Sequence, residues 1–246
     1  MAFVSGEVEP IGVIATGTIV RGTPHASSDL DLYIIHAASF RRRIQRLFDA
    51  VPAEIFINPP QAIRGYFESE YQEGRPITAH MLATGFIIWS NDSVVDDLRA
   101  EARQWLERVR PLGAGEAVSA RYTAATMLED GFDLIEHDAA GATLIMSRAV
   151  AAMLEVYCRM GGRNVPRPKD LLATVREIDP TLGAAADAYF SATMLERRRD
   201  LALTVADRAI GARGFFEWDS GPADVAPPAG SGWSTEKTVD NPDAAP

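Results

Sequence analysis

The sequence holds a single cysteine, Cys158, among its 246 residues. One thiol cannot form an internal disulfide, and it cannot supply a cysteine-based zinc site. The four histidines lack ligand spacing such as an i, i+4 pair, so we interpret them as structural. Apolar runs stay short of a membrane span, and the N-terminus lacks the charged-then-apolar pattern of a signal peptide. We therefore expect a cytoplasmic protein that does not associate with membranes.

Basic residues are also scarce: 24 lysines and arginines face 34 acidic residues, for a net charge of −10. This balance weighs against long nucleic acid as a partner, because binding the phosphate backbone needs a basic surface. A cationic acceptor would instead be attracted. The run Arg41-Arg42-Arg43 is interpreted as a solvated face, with a phosphate site as the alternative.

The segment from Gly17 to Leu32 carries the most information. It follows an apolar run, Ile11–Ala15, that predicts a buried strand, and it leads into a second apolar run that predicts another. Residues two apart on a strand point to the same face, so Asp29 and Asp31 should project together.

Two neighbouring carboxylates repel each other, and a shared divalent cation relieves that repulsion. Magnesium favours one or two protein carboxylates together with phosphate oxygens. The turn at Gly17 and Thr18 can bring backbone N–H groups and a hydroxyl close to phosphate. The pattern therefore predicts a site for a metal and a triphosphate.

These residues resemble the fingerprint of the nucleotidyltransferase superfamily related to DNA polymerase beta. The matching parts are Thr16-Gly17-Thr18, a spacer of ten residues, and Asp29-Leu30-Asp31-Leu32. The Arg21-Gly22 and Ser28-Asp29 steps resemble bacterial members that adenylylate small molecules. Thr18 stands where the family usually has Ser or Gly; it keeps a hydroxyl, but β-branching changes how closely the loop can meet phosphate.

The resemblance implies an α/β (α+β) nucleotidyltransferase fold with a mixed sheet. It also implies that two Mg²⁺ ions bind the aspartates and that an NTP, expected to be ATP, is the donor substrate. The residues expected to contact the nucleotide are Gly17, Thr18, Arg21, Ser28 and Lys169.

The chemistry calls for a third carboxylate, which would hold a metal and take or orient the proton of the attacking hydroxyl. Glu54 fits, because it lies in an apolar stretch before the stop signal Asn58-Pro59-Pro60. The alternative is an exposed Glu on an edge strand. The preceding segment, Phe40 to Phe48, suits either a helix or one arm of a hairpin that turns at Asp49-Ala50.

We predict a catalytic domain over residues 1–112, in which helices follow the Pro60 and Ser93 positions and a strand covers 85–89. An all-α helical bundle is predicted over 113–216, with helices near 117–137, 140–160, 168–178 and 181–211. Residues 217–246 are rich in Pro, Gly, Ser and Ala and predict a disordered tail. The layout resembles aminoglycoside and related small-molecule nucleotidyltransferases, in which the acceptor lies between the two domains.

Two features of the helical region have alternative interpretations. Lys169 is the one lysine before the predicted tail; it is either a contact to the nucleotide phosphates, as the resemblance implies, or an ordinary surface residue. The acidic flank formed by Glu129, Asp130, Asp133 and Glu136 is either a solvated helix face or a site for a cationic acceptor or a general base.

The sequence thus predicts transfer of a nucleoside monophosphate to a hydroxyl of a small molecule. The leading acceptor is a cationic, aminoglycoside-type antibiotic, which would make the protein an antibiotic-resistance enzyme. The alternative is an antitoxin-like protein, similar to the minimal nucleotidyltransferases, that binds or nucleotidylates a protein partner. The oligomeric state is not predicted.

Overall fold

The structure is a computed structural model, and it describes residue 6 and residues 8–222. The chain divides into two compact units, Met1–Phe216 and Glu217–Pro246. The predicted boundary at residues 112–113 stays a prediction. The predicted tail falls mostly on residues 223–246, which lie outside the described residues.

Within the described residues, five strands form one mixed sheet. They are β1 (Pro10–Thr16), β2 (Leu30–His36), β3 (Arg42–Phe48), β4 (Val51–Asn58) and β5 (Phe86–Ser90). Their order across the sheet is β3-β4-β2-β1-β5. β2 and β4 run parallel, and the other neighbouring pairs run antiparallel. The predicted mixed sheet is therefore confirmed.

The segment from residue 42 to residue 58 is a hairpin, which decides between the two interpretations of Phe40 to Phe48. Asp49 and Ala50 form its turn, with φ angles of 48° and 67°. Positive φ at both central positions gives the turn a twist that matches the flanking strands. Ala is uncommon at such a position, so the local sequence alone did not distinguish a hairpin from a helix.

Three longer helices cover one face of the sheet, after the short helix α1 (Gly17–Val20). They are α2 (Pro60–Glu73), α3 (Ile77–Thr84) and α4 (Val94–Glu107). Their buried residues, such as Ile63 and Leu98, pack against Tyr33 and Ile35 of β2. The helix predicted after Ser93 is confirmed with Ser93 at its N-cap position, but the Ser93 side chain makes no capping hydrogen bond, and the Asp92 carboxylate accepts from Val94 N instead, at 2.9 Å.

The remaining described helices pack together around a second core. They are α5 (Ala114–Asp133), α6 (Ala139–Met160), α7 (Leu171–Ile178), α8 (Pro180–Ser191) and α9 (Leu195–Ala209), and a 3-10 turn at Pro168–Asp170 precedes α7. The predicted single helix over 181–211 is wrong. The chain is extended at Ala192 and Met194, which separates α8 from α9 and lets α9 fold back against both α8 and α6.

Helix α6 is long and apolar enough to cross a membrane by length and composition. It also supplies fully buried side chains, among them Met146, Met153 and Leu154, to the core of the helical region. An apolar helix of this kind is typical of the core of a helical bundle.

Candidate active site

The three predicted carboxylates come together at the start of β2 and β4. Asp29 directly precedes β2, Asp31 lies within it, and Glu54 lies on β4. The parallel register pairs Asp31 with Glu54, so the two side chains share one face of the sheet. One carboxylate oxygen from each of the three residues lies within 4.8 Å of the others.

Gly17 packs directly against this cluster. The preceding residue, Thr16, ends β1 and pairs with Asp31 across the sheet. Gly17 has a φ of 88°, a conformation that favours glycine. A Cβ at this position would overlap the Asp31 carboxylate. Glycine is therefore needed both for the turn and for the close approach of Asp31.

The predicted nucleotide contacts from the loop after β1 fall into two groups. Gly17 and Arg21 line the cleft above the carboxylates. The Thr18 and Ser28 hydroxyls instead hydrogen-bond to each other at 2.9 Å, and His25 N donates to Ser28 Oγ at 2.7 Å. These two hydroxyls therefore close the loop on itself.

Burial and neighbouring negative charge together change the acidity of Asp31. Burial, followed by the charges of Asp29 and Glu54, raises the pKa of Asp31 from 3.8 to about 6. Arg21 and Lys169 act in the opposite direction. Lys169, from the 3-10 turn before α7, is thus close enough to the carboxylates to interact with Asp31.

Glu54 has partners on the neighbouring strand β3. Arg43 forms an ion pair with its carboxylate, and Gln45 donates to the same oxygen at 3.1 Å. The Arg43 guanidinium also lies 4.9 Å from the centre of the Phe56 ring. Glu54 is therefore a largely buried, partnered carboxylate rather than an exposed Glu on an edge strand.

A cleft of about 1010 Å³ opens over this face of the sheet. The helical region contributes to its wall with Asn164–Arg167, Asp170 and Thr174. All three arginines of the 41–43 run also line it, and all three are exposed, in agreement with their interpretation as a solvated face. The alternation of β3 turns Arg43 toward the Glu54 side, because it pairs with Phe56 across the hairpin.

Sequence reasoning missed several residues of this cleft, among them Tyr66, His80 and Arg167. Burial and the nearby Arg21 and Arg167 charges lower the pKa of His80. Tyr66 lies on α2 and His80 on α3, where they resemble ordinary helix residues in sequence. Only the packing of α2 and α3 on the sheet turns them toward the carboxylates.

The donor set fits a divalent cation. All three residues are carboxylates, their oxygens converge, and a cation would offset both the burial and the mutual repulsion that raise the pKa of Asp31. Hard oxygen ligands of this kind suit Mg²⁺. The acidic flank of α5, by contrast, contributes no residue to the described lining of the cleft.

The fold and the site can now be compared with known proteins. A solved structure described as a nucleotidyltransferase-like protein from Exiguobacterium sibiricum matches 85% of this chain and 71% of its own chain, with a TM-score of 0.50 and 14% sequence identity. The chain has a nucleotidyltransferase-like fold. The predicted fold is therefore confirmed. No family model and no curated protein matches the sequence.

Proposed function

We propose that this protein transfers a nucleoside monophosphate from an NTP, most simply ATP, to a hydroxyl of a small molecule. The observation that supports this most is the convergence of Asp29, Asp31 and Glu54 beside the glycine turn in a nucleotidyltransferase-like fold, where Asp31 and Glu54 line the cleft. We further propose that the protein acts in the cytoplasm.

Each group of the site has a role in this reaction. Mg²⁺ ions bound by the three carboxylates would stabilise the charge that develops on the attacking and leaving oxygens. Backbone N–H groups of the turn at Gly17 would face the β- and γ-phosphates. Arg21 and Lys169 would add positive charge next to the same phosphates, because both already interact with Asp31.

The transfer itself exchanges one phosphorus–oxygen bond for another. The acceptor hydroxyl attacks the α-phosphorus, the new P–O bond forms, and the bond to the bridging oxygen breaks to release pyrophosphate. Glu54 would accept the hydroxyl proton or orient the hydroxyl for attack. Positioning and electrostatics supply most of the catalysis.

Pyrophosphate release tests this proposal. Purified protein is incubated with Mg²⁺, ATP or another NTP, and a panel of hydroxylated small molecules, aminoglycosides included. Asp29→Asn and Asp31→Asn should each lower turnover more than about a hundredfold, a barrier increase of roughly 2.7 kcal/mol. Asp130→Asn, on the exposed flank of α5, is the matched control and should leave turnover unchanged. Release that persists in both aspartate variants would contradict the proposal.

A further inference from the structure

The order of the strands distinguishes two sides of the cleft, one at β1 and one at β3. Gly17 at the end of β1, Asp31 on β2, Glu54 on β4 and Arg43 on β3 lie on four successive strands of the sheet. In phosphoryl transfer the attacking and leaving oxygens lie roughly in line on opposite sides of the phosphorus. If pyrophosphate leaves on the β1 side, beside the glycine turn, the acceptor approaches from the β3 side.

The β3 side of the cleft is basic and aromatic. Arg43 stacks over Phe56. Arg41 donates to the Tyr66 hydroxyl at 2.9 Å, and its guanidinium lies 5.9 Å from the centre of the same ring. A guanidinium carries five N–H donors, so Arg41 and Arg43 keep donors beside their contacts with Tyr66 and Glu54 for a planar anion, such as a carboxylate or a phosphate.

The carboxylates of the cleft do not neutralise this side once a metal is bound. Glu54, which pairs with Arg43, would then be a metal ligand. Glu70 accepts from Thr78 N and Thr78 Oγ1, at 2.7 Å each, and burial raises its pKa. Asp170 pairs with Arg167 at 2.6 Å. Arg41 and Arg43 therefore leave a net positive charge where the acceptor enters.

We propose that the acceptor is a small hydroxylated molecule that also carries an anionic group, a phosphate monoester or a carboxylate, bound by Arg41 and Arg43. This inference rests on the proposed function, because the in-line geometry of nucleotidyl transfer is what assigns the acceptor to the β3 side of the cleft. It differs from the cationic acceptor expected from the net charge. The net charge sums over the whole chain, whereas the acceptor would contact only the residues of this cleft, where Arg41 and Arg43 lie.

Four probes of similar size and different charge test the inference. They are glycerol 3-phosphate, glycerate, neutral glycerol and cationic 3-amino-1,2-propanediol. Each is titrated into protein with ¹⁵N-labelled arginine, in the presence of Mg²⁺ and a saturating non-hydrolysable ATP analogue that fills the phosphate side. The Nε–Hε resonances of Arg41 and Arg43 are assigned from the Arg41→Gln and Arg43→Gln variants.

We expect saturable shifts of these two resonances with at least one anionic probe and none with glycerol or the amine. The glycerol 3-phosphate and glycerate arms tell a phosphate from a carboxylate. Arg41→Gln should weaken binding of the anion roughly tenfold, the loss of one charge-assisted hydrogen-bonding group. Arg103→Gln, an exposed arginine of α4 away from the cleft, is the control and should leave binding unchanged.

Shifts caused by the amine alone, or by no probe, would overturn the inference. Tighter binding of a single-stranded RNA oligonucleotide than of glycerol 3-phosphate would overturn the small-molecule class of acceptor. Failure of the wild-type protein to bind the ATP analogue would instead contradict the proposed function. Because the Arg41 guanidinium bonds to the Tyr66 hydroxyl, outside the cluster of Asp29, Asp31 and Glu54, its variant tests the acceptor side without disturbing the proposed metal ligands.

Discussion

Asp31 is the residue on which the geometry of the site converges. It pairs with Thr16, packs against Gly17, and shares its surroundings with Asp29 and Glu54. The alternation of a strand was enough to predict that the two aspartates lie together. Their position beside Gly17 depends on the antiparallel register of β1 and β2, which the sequence pattern does not specify.

Replacing Gly17 should damage the site more than the fold. Gly17→Ala places a methyl group on the Asp31 carboxylate, whereas Gly22→Ala, with a similar φ of 73°, meets nothing within 4 Å. Both variants carry the strain of a positive φ, about 1–3 kcal/mol. Only Gly17→Ala should also lose binding of Mg²⁺ and the ATP analogue by calorimetry. Equal loss in both variants would mean that backbone strain alone is responsible.

The pKa of Asp31 makes a prediction for the metal-free protein. A raised pKa means that the folded state favours the protonated form of Asp31. The stabilisation that comes from protonating Asp31 is therefore present below pH 4 and is lost as pH rises through about 6. Asp31→Asn should therefore raise the melting temperature in EDTA at pH 7.5. The corresponding gain in the free energy of unfolding is at most about 3 kcal/mol. At pH 4 the gain should vanish.

The control for this measurement is Asp130→Asn, which removes an exposed carboxylate from α5. It should change the melting temperature little at either pH. If Asp31→Asn gives the same shift at pH 4 and pH 7.5, the burial of ionised Asp31 beside Asp29 and Glu54 is not what limits stability.

At the scale of elements, the joins between helices were the hardest to predict. The apolar period continues from α8 into α9, and no glycine or proline marks the break at residues 192–194. Arg198 Nε donates to the Ala192 carbonyl at 2.7 Å, and this hydrogen bond between residues six apart in the chain stabilises the break. A helix end marked by Pro, such as the start of α2 or α8, was predictable because Pro acts locally.

Asp179 joins three helices and should be the most important acidic residue for stability in the helical region. Its carboxylate caps α8 at Thr181 N and Leu182 N, pairs with Arg208 of α9, and accepts from the Tyr157 hydroxyl of α6. Asp179→Ala should lower the free energy of unfolding by roughly 2 to 4 kcal/mol, measured by urea titration.

Asp187→Ala is the matched control, because Asp187 also makes a bidentate pair, with Arg176, but across an exposed surface. It should cost about 1 kcal/mol or less. The hydrogen bonds from Arg208, and then those from Leu182 N and Tyr157, lower the pKa of Asp179 to about 2. Its contribution is therefore complete above pH 4 and is lost as pH falls through about 2. Equal costs for the two variants would contradict this account.

At the scale of the whole molecule, average charge and local charge point in different directions. The net charge of −10 predicts attraction of cations, yet six arginines line the cleft: Arg21, Arg41, Arg42, Arg43, Arg75 and Arg167. They come from the loop after β1, from β3 and the residue before it, from the turn after α2, and from the segment before α7. Tertiary packing alone brings them together, so no sequence window could have identified them as one site.

The helical region, distant in sequence from the sheet, also contributes to the cleft. Residues 164–167, Asp170 and Thr174 form part of its wall. Val165 N donates to the Gly74 carbonyl at 2.8 Å, and Arg75 pairs with Glu155 at 2.6 Å. The turn after α2 is thus bonded to the helical region at the rim of the cleft.

Calorimetric titration of a non-hydrolysable ATP analogue examines the metal–nucleotide site itself, because it requires no knowledge of the acceptor. The wild-type protein should bind the analogue with Mg²⁺ and lose that binding in EDTA. Asp31→Asn should weaken binding with Mg²⁺ at least about tenfold, the effect of losing roughly 1.4 kcal/mol of metal–phosphate binding. Asp130→Asn should bind like the wild type. Binding that is the same with and without Mg²⁺, or the same in the Asp31→Asn variant, would contradict the claim that these carboxylates form a metal–nucleotide site.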